Sequence, residues 1–229
     1  MKEEYMNAEN WARVRINDFL MWLYRDSYSN PLHILGFDDN VMSFKGKKMT
    51  IGEVQSTHTD MVFTTPKGRD IFIDIKGSFC KNALYIDFEV ARRLKQGNDW
   101  GELKIGWATD MSTMLPLEDQ YIIHSFENYT IITPKMKFNE ALSILRQEQP
   151  RFNKLSSYRE KEDEGRDSDK IPKLNYLLEV SLIPNEYNQT LSLEDSHKFL
   201  RNCESRIYYG NMNSGYMEVT KQLLYKNSL

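Results

Sequence analysis

The chain of 229 residues is 40% hydrophobic and 12% aromatic, enough for a real core and room for one ordinary domain with an appendage. A formal charge of −3 argues against the strong basic excess of a tight, non-specific nucleic-acid binder, although a site built on carboxylates is itself acidic and needs only a local basic rim to hold phosphates. Met1-Lys2-Glu3-Glu4-Tyr5 has no apolar run of the signal-peptide kind, no stretch approaches the roughly 18 apolar residues of a membrane span, and Cys80 and Cys203 follow no pairing pattern; no membrane partner and a reducing, cytoplasmic setting with two thiols are therefore expected.

Residues 7–26 place Ala12, Ile16, Phe19, Leu20 and Leu23 at helical spacing between polar positions, which predicts an amphipathic helix. Pro31 and Gly36 interrupt that pattern, and the stretch VMSFKGKKMTIGEV reads as two short strands about a turn at Lys45-Gly46-Lys47. The segment 58–79, HTDMVFTTPKGRDIFIDIKGSF, predicts two strands separated by Pro66-Lys67-Gly68. After it, DFEVARRLKQGN predicts a helix with Asp87 as N-cap and Gly97 as stop.

The stretches ELKIGWAT, QYIIHSF and NYTIITP read as further strands, and FNEALSILRQ as a helix. Residues 156–173 are dense in both charge signs and nearly without apolar side chains, which predicts an exposed loop. Beyond it, LNYLLEVSLIP predicts a strand, SLEDSHKFLRNCESR a helix opened by Ser192, and YMEVTKQLLYKN a final helix. The expected class is α/β or α+β, divided into a core over residues 1–155, a charged loop over 156–173 and a C-terminal extension over 174–229 packing on the core.

The hairpin carries the chemistry. Side chains alternate faces along a strand, so Asp74 and Lys76 share one face while Ile71, Ile73 and Ile75 share the other. With a three-residue turn and Gly68 in the left-handed position, Thr65 faces Arg69, and counting back pairs Phe63 with Ile71, Met61 with Ile73 and Asp60 with Asp74. A two-residue turn would put Asp60 among the isoleucines, which the apolar pattern rejects. Two carboxylates on one face repel unless a cation is shared. Lys76 supplies part of the compensation, and Mg²⁺ or Mn²⁺, held by Asp60, Asp74, a main-chain carbonyl such as that of Ile75, and waters, would supply the rest.

An acid, a hairpin turn, then Asp74-Ile75-Lys76 in an apolar strand resembles the PD-(D/E)xK nuclease superfamily, with Thr59 standing where the motif's proline would be. The resemblance covers residues 7 to about 110. It implies a restriction-endonuclease-like core, a central mixed β-sheet flanked by helices, and metal-dependent hydrolysis of phosphodiester bonds, in DNA more than RNA. It also implies roles: Asp60 and Asp74 as metal ligands, Lys76 orienting the attacking water, and an acid from the first helix, for which Glu9 is preferred over Glu4 and Asp18. Arg92, Arg93 and Lys95, on the helix expected after the hairpin, would touch phosphates. The region beyond residue 110 is left for substrate choice or for assembly, as a homodimer or with a protein partner. The rival expectation is a non-catalytic nucleic-acid-binding or assembly protein whose hairpin is structural.

Other signals are weaker. His58 lies two residues from Asp60, but a lone strand histidine is ordinarily just hydrogen-bonded, and His33, His124 and His197 lack zinc-ligand spacing. A solvent-facing role suits Glu53 better than metal ligation. Phosphate-binding loops, dinucleotide fingerprints and nucleophile elbows are missing from the sequence. Arg201, Arg206, Tyr208 and Tyr209 mix cations with rings suited to stacking on bases, though such tyrosines more often line a core edge.

Overall fold

The computed structural model describes residues 2–25, 34–35, 41–44, 47–50, 59–65, 67–77, 85–111, 115–163, 172–182, 191–211 and 213–219. In chain order the elements are helix α1 (Lys2–Leu23); strands β1 (Ile34–Leu35), β2 (Val41–Phe44), β3 (Lys47–Thr50), β4 (Met61–Thr64), β5 (Asp70–Gly77), β6 (Tyr85–Gln96), β7 (Asp99–Trp100), β8 (Lys104–Ile105), β9 (Gln120–Ser125) and β10 (Tyr129–Pro134); helix α2 (Lys135–Glu148); strands β11 (Arg159–Asp163) and β12 (Lys173–Ser181); helix α3 (Leu193–Asn202); and strands β13 (Arg206–Asn211) and β14 (Gly215–Glu218). The class is mixed α and β. Two compact units divide the chain: Met1–Ala83 with Ser112–Met136 and Glu204–Leu229, and Leu84–Met111 with Lys137–Cys203. This division runs across the boundaries expected at residues 155 and 173, and residues 204–219 belong to the first unit rather than to a separate extension. Among the described residues no helix is long and apolar enough to cross a membrane.

In the first unit a seven-stranded sheet has the order β1-β4-β5-β9-β10-β13-β14, and it is mixed because β5 and β9 run parallel. One face of β5 meets α1. The helix buries Ala12, Ile16, Phe19 and Leu20, with Leu23 partly covered, against Met61, Phe63, Ile71, Ile73, Ile75 and Ile123, so the predicted apolar stripe is the one the sheet receives. Contact is close enough that a Cβ on Gly77 would stand 3.0 Å from that of Ala12. Phe19 also packs on Tyr208 and Tyr216, with ring centroids 4.8 and 5.1 Å away.

The second unit is a sheet ordered β11-β12-β6-β7, with β8 also paired to β6. Phe88 of β6 stacks on Phe138 of α2 at 4.5 Å, and Phe199 of α3 meets Phe138 edge-on at 5.6 Å. Helix α3 starts as expected: Ser192 Oγ accepts from the Asp195 N–H at 3.0 Å.

Several expectations are corrected here. The stretch 87–96 is not a helix but most of the twelve-residue strand β6, paired over nearly its whole length with β12. Its Ala, Arg, Leu, Lys and Gln favour helix locally, and the ladder to a strand some eighty residues on overrides them. Gly97 is no helix stop: with φ +64 it is the first of two turn residues, Gly97-Asn98, that join Gln96 to Asp99 in a hairpin. The resemblance therefore loses its closing helix. Of ELKIGWAT only Lys104–Ile105 is strand. The charged segment 156–173 is not loop throughout, since Arg159–Asp163 pairs with β12, while residues 164–171 lie outside the described residues. At the C-terminus Gly215–Glu218 is strand rather than helix, held by β13; residues from 220 on lie outside the described residues.

Ile73 is fully buried between β4, β9 and α1 in the first unit. Ile73→Ala is expected to lower stability by about 2–5 kcal/mol, measured by urea unfolding.

Candidate active site

The predicted register holds. Met61 pairs with Ile73, Phe63 with Ile71 and Thr64 with Asp70; the Thr65 N–H donates to Arg69 O at 2.8 Å, and Gly68 takes φ +74. Gly68 is where the turn needs a left-handed residue, so the one-residue difference between the two candidate registers is fixed there. The Asp60 N–H donates to Ile73 O at 2.8 Å, which carries the hairpin one residue past the end of β4.

Beyond that point the Asp60 side chain continues the ladder. Its Oδ2 accepts the Ile75 N–H at 2.7 Å, taking the place of a backbone carbonyl. Since the N–H and C=O of a strand residue point to the same edge, the Ile75 carbonyl is directed to this side as well. Asp74 is 4% exposed. Its Oδ1 accepts from Lys76 Nζ, while Oδ2 is buried with no hydrogen-bond donor among the described residues. Lys76 keeps 31% of its side chain open to solvent. Burial pushes the Asp74 carboxyl up to about 7; the charge of Lys76 opposes this, and the nearby Asp60 carboxylate, within hydrogen-bonding reach, reinforces it.

The structure thus brings Asp60, Asp74, Lys76 and the Ile75 main chain together on the face opposite α1. Among the described residues no group of three or more His, Cys, Asp or Glu side chains is placed to hold a metal ion. A cation here would rest on two carboxylates, a carbonyl and water, a donor set that suits Mg²⁺ or Mn²⁺. The Asp74 Oδ2 fits such an ion: it is a carboxyl oxygen buried beside a second carboxylate, with no donor among the described residues.

The remaining predicted residues fall elsewhere. Glu9 lies on α1 one turn before Ala12, and its side chain is outside the described residues, as are His58 and Glu53. Arg92, Arg93 and Lys95 belong to β6 in the second unit, not to a helix, and so alternate: Arg92 shows one face and Arg93 and Lys95 the other. His124, set aside in the sequence for want of zinc-ligand spacing, pairs with Lys76 in the parallel ladder and is 2% exposed. Nothing in its local sequence singles it out, because a parallel neighbour is set by the crossover. Tyr208 is core at 2% exposed and Tyr209 is 47% exposed, as alternation on β13 requires. His197 is buried, with Nε2 3.4 Å from Leu182 O, and burial lowers its pKa. Cys203 is a buried free thiol whose ionisation burial pushes well up; Cys80 lies outside the described residues.

Compared with known proteins, the chain matches no family model, no curated protein and no solved structure.

The raised Asp74 pKa has a consequence for stability. The folded state keeps this proton up to about pH 7, while an unfolded aspartate releases it near 3.8, so between these values the unfolded chain binds fewer protons and stability falls as pH rises. Without divalent metal, wild type is expected to lose thermal stability across pH 4 to 7, and Asp74→Asn to flatten that part of the profile. Matching profiles for the two proteins would count against the buried, raised carboxyl.

Proposed function

We propose that the protein is a metal-dependent nuclease that hydrolyses phosphodiester bonds, with DNA the preferred substrate over RNA. One observation carries the reading: a buried Asp74 oxygen with no donor among the described residues stands beside the Asp60 carboxylate, while Lys76 occupies the other Asp74 oxygen and reaches solvent. Hydrolysis of a phosphodiester needs a nucleophilic water at neutral pH and a place for negative charge to gather. A bound divalent cation supplies a water of lowered pKa and an electrostatic sink for phosphoryl oxygens. Asp60 and Asp74 would hold that ion with the Ile75 carbonyl, and Lys76 Nζ would orient the water and offset developing charge. Fixing Asp60 through the Ile75 N–H prepares the carboxylate before any ligand arrives, which is what a preorganised site requires. A restriction-endonuclease-like core and the first-helix acid Glu9 belong to the same proposal, as does a role for the rest of the chain in substrate choice or assembly.

The Lys76–Asp74 ion pair favours one alternative, a hairpin whose charges only stabilise a non-catalytic binding protein. Two measurements separate the readings. Calorimetry is expected to detect Mn²⁺ binding to wild type and its loss in Asp60→Asn. Mg²⁺-dependent cleavage of DNA is expected to fall at least about a hundredfold in both Asp74→Ala and Lys76→Ala, with circular dichroism unchanged. Cleavage that survives both substitutions removes the assignment.

A further inference from the structure

The ladder of the second unit aligns four side chains in one row. Lys104 of β8 pairs with Arg92 of β6, Arg92 with Asn175 of β12, and Asn175 with Lys161 of β11. Directly paired residues share a face, so the row crosses four neighbouring strands and spans three strand spacings, about 14 Å. Lys104 and Lys161 are exposed, and Arg92 keeps 29% of its side chain open.

Alternation divides the charged side chains around this row between the two faces, with both signs on each. On β11 Lys161 lies with the row, while Glu160 and Glu162 point to the opposite side. On β6 Arg92 lies with the row, while Arg93 and Lys95 point away. The register shift between Tyr176 and Leu177 turns Glu89 to the Arg92 side, where its carboxylate stands 3.8 Å from Arg92 Nε. At that distance it offsets charge without a hydrogen bond, and Arg92 Nε and Asn175 Oδ1 are both buried with no hydrogen-bond partner among the described residues. Cations directly opposite each other, as in Lys104 and Arg92, destabilise a sheet unless an anion is shared.

We propose that Lys104, Arg92, Asn175 and Lys161 form a binding surface for the sugar–phosphate backbone of a nucleic acid. A linear array of cations along one direction suits a repeating linear polyanion, and the planar guanidinium and amide at its centre suit phosphate and sugar oxygens. The inference rests on the nucleic-acid reading of the substrate given above, but not on cleavage. It retains Arg92 and replaces Arg93 and Lys95, which the sequence grouped with it, by Lys104 and Lys161.

The test measures binding in EDTA, where cleavage is off, by fluorescence anisotropy of labelled single-stranded DNA, duplex DNA and RNA over a series of KCl concentrations. The double variant Lys104→Glu, Lys161→Glu is compared with Lys95→Glu, Lys198→Glu, which changes net charge equally at exposed positions away from the row. The row variant is expected to weaken binding at least tenfold and to reduce the salt slope by about 1.4, at about 0.7 per lost phosphate contact on a single strand; the control is expected to weaken it less than threefold. If the row variant folds poorly, Lys104→Gln, Lys161→Gln gives the same comparison more mildly. Equal losses in row and control variants overturn the proposal, as does binding of poly-glutamate but of no nucleic acid, or no binding at all. Row-dependent binding by a protein that never cleaves leaves the surface standing and removes the nuclease, whereas cleavage with KM untouched by the row variant removes the surface alone.

Discussion

Two aspartates held side by side at the end of a hairpin set the terms for the first unit. Asp60 and Asp74 repel, and their repulsion persists because each is fixed by something else: Asp60 by the Ile75 N–H, Asp74 by Lys76 and by the packing beneath. That packing is the apolar face of β5 against α1, where Ile71, Ile73 and Ile75 fill the space left by Ala12, Ile16, Phe19 and Leu20. Moving either carboxylate away would mean slipping the strand by one residue and turning three isoleucines out of the core, a cost of several kcal/mol at about 1.5–3 kcal/mol per buried side chain. The hydrophobic contact therefore keeps the electrostatic conflict in place, and a shared proton or a cation is the way to relieve it.

This also explains why the pair stands where a strand ends. Inside a continuous ladder the Ile75 N–H would meet a backbone carbonyl, and no side chain would be needed there. The described strand β4 begins at Met61, and just before it the Asp60 carboxylate takes the Ile75 N–H. An acid that substitutes for a missing carbonyl is both well held and partly accessible, which is the combination that ligand binding requires.

Alternation acts in the second unit with another result. There β6, β11 and β12 carry both basic and acidic residues, and the chain's net charge is close to neutral for its size. The pleat lines up side chains that lie far apart in the sequence. Lys161 goes to one side and Glu160 and Glu162 to the other, so a weakly acidic protein can present a basic row.

The hairpin, its register, the apolar stripe of α1 and the meeting of Asp60 with Asp74 were all legible in the sequence. Each depends on spacing within some twenty residues: a period of two on either side of a glycine turn, or a period near 3.6 along one helix. What lay beyond reach came from partners far along the chain. Whether 87–96 would be helix or strand was decided by β12, whose backbone groups complete the ladder and outweigh local preference. His124 beside Lys76, Tyr208 in the core with Tyr209 outside, and Lys104 and Lys161 in line with Arg92 all follow from which strands become neighbours. Local sequence settles the conformation of a turn and the faces of an element. Tertiary pairing settles which elements stand next to one another, since those hydrogen bonds join residues that carry no mark of each other in the sequence.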